Sequence, residues 1–408
     1  MNAHGHGAMT DARDGPVVVG GMPPPVTGMT SVNAFVVEAL RQRGAHPAVI
    51  NIIGGGFRRQ WRYRLGRIGR VLGGVLRLST LTAGTRRTVY VAVSGGFGQF
   101  YELVFAAVAR ARGFPLVMHH HNFTYLLRPI WLTRVLFAVA GSDAHHVVQS
   151  DGMAERMRSL YGVRRTIAVS NAALIRDDGE GARPRRGIRT IGYISNISVA
   201  KGIIDFLDLM QAAQREGMPV RGLLAGPFED EATERAVRER LRGLAHVDYL
   251  GPLYGGQKAK FFGDIDLLVF PTRYPNETEG IVNLEAMRAG VPVIAYGRGC
   301  IPEFVDDACG MVVPTEDAGF AERALARIRE WSADERRHEE VSCGAMRRFE
   351  QVRARSQVRW EALMDLLLPS AATDRPQLTE HPRPGENPRR DGSPRAKGHD
   401  TQSGEEQC

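Results

Sequence analysis

Short apolar runs rich in valine, isoleucine and leucine recur along this chain. They run Val17 to Val19, Pro47 to Ile53, Thr88 to Val93, PLVM from Pro115, AHHVVQ from Ala144, IRTIGYIS from Ile188, Val220 to Gly226, IDLLVF from Ile265 and VPVIAY from Val291. Between them the apolar positions fall at three- and four-residue spacing. Runs of this kind read as strands buried on both faces, and the stretches between them as amphipathic helices. The alternation predicts an α/β protein with parallel sheets covered by helices.

The first such unit has a Gly/Pro loop from Gly20 to Gly28. Its helix is expected to be capped by Thr30 or Ser31, to carry Phe35, Val36 and Leu40 on its apolar side, and to end at Gly44. The loop lacks the G-x-G-x-x-G spacing of a dinucleotide site. Phe57 to Leu78 places Phe57, Trp61, Leu65, Ile68, Leu72 and Val75 at helical spacing, with arginines filling the other face. Two readings of this basic amphipathic segment stand: a helix lying in a membrane interface, or a surface helix packed on the sheet. Gly95, Gly96 and Gly98 make a tight loop after the Thr88 strand. A helix is expected over Pro129 to Gly141, and another after Ser150.

Three histidines, His119 to His121, end the Pro115 strand. Neighbours on a strand point to opposite faces, so the three cannot share one metal ion. In the second half, Lys201-Gly202 opens a helix after the Ile188 strand. Phe270 to Val293 then reads as strand end, polar loop, helix and strand. In that stretch Glu277 lies in the loop and Glu285 in the helix, and the backbone N–H groups of Gly280, Ile281 and Val282 point out of the helix N-terminus. Such free donors and the helix dipole suit a phosphate, while the carboxylates suit sugar and ribose hydroxyls.

The length accommodates two domains. Expected boundaries are a leader over 1–15, a first domain over 16–175, a linker over 176–186, a second domain over 187–345, closing helices over 346–368 and a disordered tail over 369–408. Four cysteines without paired spacing argue for a reducing compartment and against a zinc site or disulfide framework. Asp11, Arg13 and Asp14 interrupt the N-terminus where a secretory signal needs an apolar core, and no apolar run reaches bilayer length. The expected location is cytoplasmic, with peripheral contact on the inner face of the membrane. The net charge of +8 is concentrated: no Asp or Glu occurs from Ala39 to Tyr101, a span holding eleven arginines. Such a field implies an anionic partner. An anionic membrane surface met through residues 57–78 fits it better than nucleic acid, because aromatics for base stacking are few.

The stretch ETEGIVNLEAMRAGVPVIAY resembles the donor-sugar motif of the family 4 retaining glycosyltransferases, whose loop reads E-G-F-G where this chain has Glu277-Thr278-Glu279-Gly280. The resemblance implies two Rossmann-like domains facing a cleft (the GT-B fold), with the C-terminal helix crossing back to the first. It implies that the second domain holds a nucleoside diphosphate sugar. Glu277 would meet the sugar hydroxyls, Glu285 the ribose, and Lys201 with the backbone at Gly280, Ile281 and Val282 the diphosphate. Gly251 would lie beside the base. Gly28, followed by Met29, would lie near donor and acceptor, and His121 would line the reaction centre with His119 as the alternative. UDP- and GDP-sugars are the donors expected. No metal is required if Lys201 and the helix dipole carry the charge. One departure stands out: Asn196 occupies the place of the family's arginine, so a hydrogen-bonding group replaces a cation. The resemblance implies sugar transfer to a glycan or lipid-linked acceptor. A nucleotide-sugar epimerase on the same scaffold, or a non-catalytic nucleotide-sugar or glycan binder, are the alternatives.

Overall fold

The structure, a computed structural model, describes residues 15–53, 60–81, 87–175 and 182–368, with the side chains of 60–65 excepted. The expected leader up to residue 14, the linker positions 176–181 and the tail from 369 lie outside the described residues.

The first half alternates β1 (Val17–Gly20), α1 (Gly28–Gln42), β2 (Ala48–Asn51), α2 (Gln60–Thr80), β3 (Val89–Val93), α3 (Gly98–Ala111), β4 (Leu116–His120), α4 (Thr124–Leu127), α5 (Trp131–Ala140), β5 (His145–Val148), α6 (Asp151–Tyr161) and β6 (Thr166–Ala168). Its six strands form one parallel sheet in the order β2-β1-β3-β4-β5-β6. The second half gives β7 (Thr190–Ile194), α7 (Ile203–Arg215), β8 (Arg221–Ala225), α8 (Glu231–Leu241), β9 (Val247–Tyr249), α9 (Gly256–Asp264), β10 (Leu267–Phe270), α10 (Ile281–Arg288), β11 (Val293–Tyr296), β12 (Gly310–Val313), α11 (Phe320–Ala333) and α12 (Glu335–Leu367). Its parallel sheet runs β12-β11-β10-β7-β8-β9. Counted within this half, that is the 3-2-1-4-5-6 order of a doubly wound dinucleotide-type sheet.

Helices cover both faces of each sheet. In the first, Val71, Leu78, Phe105 and Phe137 pack on Val17, Val89 and Met118, while Val36, Leu40 and Trp360 pack on Val18, Tyr90 and Val117. Trp360, Leu363, Met364 and Leu367 belong to α12, which therefore crosses from the second half into the core of the first. Its earlier residues Ala345 and Phe349 sit in the second-half core, and Val341 packs there too.

Several local expectations change. The cap of α1 is Thr27 rather than Thr30 or Ser31. Thr27 accepts from the Thr30 amide at 3.3 Å and the Thr30 hydroxyl accepts from the Thr27 amide at 2.8 Å, a reciprocal box. The segment expected as one helix over Pro129 to Gly141 is preceded by the short α4 and starts at Trp131, since Arg128, ahead of the proline, and Ile130 are both extended. The closing helices expected over 346–368 are the later part of a single α12. The largest change concerns α2. Its sheet-facing side is Val71, Gly74 and Leu78, with Gly74 lying against Ile50 and Phe105, whereas Ile68 and Leu72 point outward. Phe57 and the side chains of Trp61 and Leu65 lie outside the described residues.

Candidate functional site

In parallel sheets, ligands gather beyond the carboxyl ends of strands, at the crevice where strand order reverses. In the second sheet that reversal lies between β7 and β10. Lys201 follows β7 and Glu277 follows β10. Their side chains form an ion pair across the crevice, both largely buried. The Lys201 ammonium also lies 4.7 Å from the Tyr274 ring centre, and the Thr272 hydroxyl is 3.4 Å from the same Glu277 oxygen.

The backbone is shaped for this contact. Buried Tyr193 donates to the Lys201 carbonyl at 3.1 Å. Gly202 has φ +83°, and a methyl group there would collide with the Pro271 carbonyl, so only glycine lets the lysine loop press against the end of β10. Gly280, at φ +58°, turns the chain into α10 and leaves the first amides of that helix, Ile281 and Val282, at the same crevice. Asn196 lies exposed just past β7, at this edge. Gly251 lies past β9, its carbonyl accepting from the Gly226 amide at 2.8 Å.

Glu285, in the second turn of α10, is held by Lys258 of α9, whose ammonium is 2.7 Å from one oxygen and 2.6 Å from the other. Burial pushes the Glu285 carboxyl above its ordinary range, and Lys258 opposes the shift. Sequence reasoning missed Lys258, and also Arg298. Arg298 lies just past β11 and donates to the Tyr274 carbonyl at 3.1 Å and the Pro275 carbonyl at 2.8 Å. Burial lowers its pKa and the nearby Glu277 charge opposes the shift. The signal that could have found Arg298 was its place after a core strand, on the edge that already carries Glu277.

The first sheet offers its own reversal between β1 and β3. Gly28 begins α1 after the β1 loop, and a methyl group there would meet no protein atom within 4 Å. Gly28→Ala is therefore expected to leave the melting temperature unchanged; a loss of substrate binding in a titration would locate ligand at that opening. His121 follows β4, its ring 4.2 Å from that of His119, and neither Nε2 has a hydrogen-bond partner among the described residues. Burial lowers His121 to about 3 and His119 well below the ordinary histidine value, so both are neutral near pH 7. His119 is fixed by Tyr90, 2.6 Å from its Nδ1. His120 points the other way, with its Nε2 2.9 Å from His146 Nδ1.

The two strand edges face each other. Thr124 donates to Asn276, the Asn171 amide donates to Glu279 at 2.8 Å, and Ser150 and the Gly152 amide donate to Glu303 at 2.6 and 3.0 Å. The structure thus brings Lys201, Glu277 and the α10 terminus together in a cleft, with Glu285 one helical turn behind. It places Gly28, His121, Asn196 and Gly251 on the surrounding edges.

Residues 188–330 match the family model described as Glycosyl transferases group 1. Superposed on the Anabaena protein Alr3699/HepE, solved in complex with UDP-glucose, the chain gives a TM-score of 0.63 at 17% identity, covering 86% of this chain and 99% of that one. The fold is GT-B. Among curated relatives, the GT-B chain is 24% identical over 265 residues to sulfoquinovosyl transferase SQD2 of Arabidopsis thaliana, covering 56% of this chain and 47% of that protein. It is 24% identical over 239 residues to phosphatidyl-myo-inositol mannosyltransferase of Mycobacterium leprae, covering 58% and 61%. The chain therefore spans less than two thirds of the length of either relative.

Proposed function

We propose that this protein transfers a sugar from a UDP- or GDP-sugar to a glycan or lipid-linked acceptor, with retention at the anomeric carbon, during assembly of an exopolysaccharide or another envelope glycan. The observation that carries this reading is the meeting of Lys201 and Glu277 across the switch-point crevice, beside the free amides of α10. A cation and a helix terminus together suit a diphosphate, and an adjacent carboxylate suits sugar hydroxyls.

In this reading the bond from the anomeric carbon to the diphosphate oxygen breaks and the acceptor oxygen bonds to the same face of that carbon. The acceptor proton passes to the departing phosphate. Lys201 and the α10 amides balance the charge that collects there. Glu285 accepts from the ribose, and the neutral His121 lines the sugar side. The relatives support the donor class: one is named for sulfoquinovosyl transfer and one for mannosyl transfer to a phosphatidyl-inositol, and one structural neighbour holds UDP-glucose. The inositol lipid in the second name supports a lipid-linked acceptor. The protein would work as a peripheral protein on the inner face of the cytoplasmic membrane.

A thermal-shift panel of UDP, GDP, ADP and their common sugars tests the reading. A nucleotide at about a hundred times its Kd stabilises by about 2.7 kcal/mol. One nucleotide is expected to raise the melting temperature of the wild type and not of Glu285→Ala. The uncharged Asn196 favours a second reading, a nucleotide-sugar binder without turnover. Donor binding with no product across a broad acceptor panel would select it.

A further inference from the structure

Helices α2, α3 and α5 lie side by side over one face of the first sheet. Their outer surface is unusually apolar. Phe97, which precedes α3, is 85% exposed, and Phe100 and Val104 continue its stripe along the helix. Trp131, opening α5, is 65% exposed, with Val135 one turn on. On α2, Ile68, Leu72 and Leu76 line up at four-residue spacing, the last two 64% and 67% exposed. The aromatic side chains form one cluster: Phe97 stacks on Phe100 at 6.3 Å, and Phe100 meets Trp131 edge-on at 6.1 Å. This cluster sits at the end of the layer nearest the cleft, since Phe97 follows the β3 loop and Trp131 starts its helix.

The charge is as one-sided as the apolarity. From Ala39 to Ser142 the sequence holds fifteen arginines and a single carboxylate, Glu102. Glu102 is buried and accepts from the Ser94 amide and hydroxyl at 2.8 and 2.5 Å. The described parts of α2, α3, α4 and α5 therefore expose no carboxylate, while Arg70, Arg128 and Arg134 are exposed beside the apolar stripes. The next carboxylates along the chain, Asp143, Asp151 and Glu155, are each paired with an arginine: Arg165, Arg359 and Arg158.

We propose that the outer face of α2, α3 and α5 docks on an anionic lipid bilayer, with Phe97, Phe100 and Trp131 seated at the headgroup boundary and the arginines on lipid phosphates. Large aromatics beside arginines are the composition of a membrane interface. Aliphatic stripes such as Ile68, Leu72 and Leu76 offer nothing for a nucleic acid to stack on. A second copy of this face would bring like charges together. The proposal deepens the lipid-linked reading of the acceptor by placing the cleft mouth at the membrane, but binding is measurable without any turnover.

The test sediments the full-length protein with vesicles of phosphatidylcholine alone and of phosphatidylcholine mixed with phosphatidylglycerol. Partition into the mixed vesicles is expected to be higher by about tenfold or more, with a blue shift of tryptophan emission. The double variant Phe97→Ser/Trp131→Ser is expected to lose about tenfold in partition. Leu72→Ser/Leu76→Ser, on a different helix, should lose a similar factor. Both replace exposed side chains and should keep the circular dichroism of the wild type. Three outcomes overturn the proposal: no preference for the anionic vesicles, equal partition of the variants and the wild type, or a self-associated state in light scattering that the same substitutions abolish. Transfer to a water-soluble acceptor is read separately and should survive both double substitutions, so loss of docking and loss of the transferase reading are distinguishable.

Discussion

Lys201→Ala is expected to slow sugar transfer by about 10²–10³-fold, the cost of removing one preorganised group that balances developing charge. The side chain contributes its charge where the crevice opens, while its backbone is held independently by Tyr193 and by the Gly202 turn. The variant should therefore fold normally. Glu277→Gln separates two roles of the pair. Without donor, Glu277 neutralises Lys201. Removing that carboxylate frees the ammonium for the diphosphate, so UDP or GDP alone should bind about fivefold tighter, equivalent to about 1 kcal/mol. Transfer should nevertheless fall, because the sugar loses its acceptor group. Calorimetric titration with free nucleotide and a rate assay on the same two variants check this. Wild-type turnover by Lys201→Ala would remove the lysine from the site.

A second large effect is expected from acid. Burial lowers His121 and His146 to about 3, and lowers His119 and His120 well below the ordinary value, with neighbouring imidazole charges adding to it. In the unfolded chain these groups titrate near 6.5. A group whose folded pKa is depressed gives stability above its unfolded pKa and loses it as pH falls. Buried carboxylates act in the opposite sense, Glu285 and Asp205 among them. Burial raises Glu102 and Glu279 to about 7, so their contribution is full below about 4.5 and is lost as pH rises to about 7. As pH falls below about 6.5 the unfolded chain takes up protons on these histidines, and on His338, that the folded chain does not, while the raised carboxylates offset part of that difference. Where the histidines outweigh the carboxylates, stability should fall as pH drops below about 6.5. Urea unfolding at pH 5.5 and 7 measures it, and His146→Gln should flatten the slope by about one proton. Equal unfolding midpoints at the two pH values would contradict the buried, neutral histidine cluster.

Much of the fold was legible because parallel strands buried on both faces leave uninterrupted apolar runs. The runs at Val17, Val89 and Val293 became β1, β3 and β11 almost residue for residue. The orientation of α2 was not legible. A pattern of apolar side chains marks the large ones as buried, but Gly74 lets the helix approach Ile50 and Phe105 closely, so the narrow Val71–Gly74–Leu78 side faces inward. The continuity of α12 was hidden for a similar reason. Gly344 weakens the helix on propensity alone, yet it sits against the Ala308 carbonyl, where a side chain would collide. In the site, each glutamate could be picked out on its own loop or helix, but its partners could not. Lys201 is 76 residues from Glu277 and Lys258 is 27 from Glu285, separations that only the crossing of strands converts into contact. Glu279 read as one more loop acid. Its burial against Asn171 depends on how the two sheets meet.

That last contact has a mechanical consequence. The segment from Asn276 to Glu279 is tied to the first half of the chain at both ends, through Thr124 and through Asn171. Glu277 lies between those ties. Prising the two halves apart would therefore pull on the loop that carries Glu277, the residue proposed to meet the donor sugar. In the proposed transfer reaction, release of the spent nucleotide and parting of the halves would be coupled through this one loop.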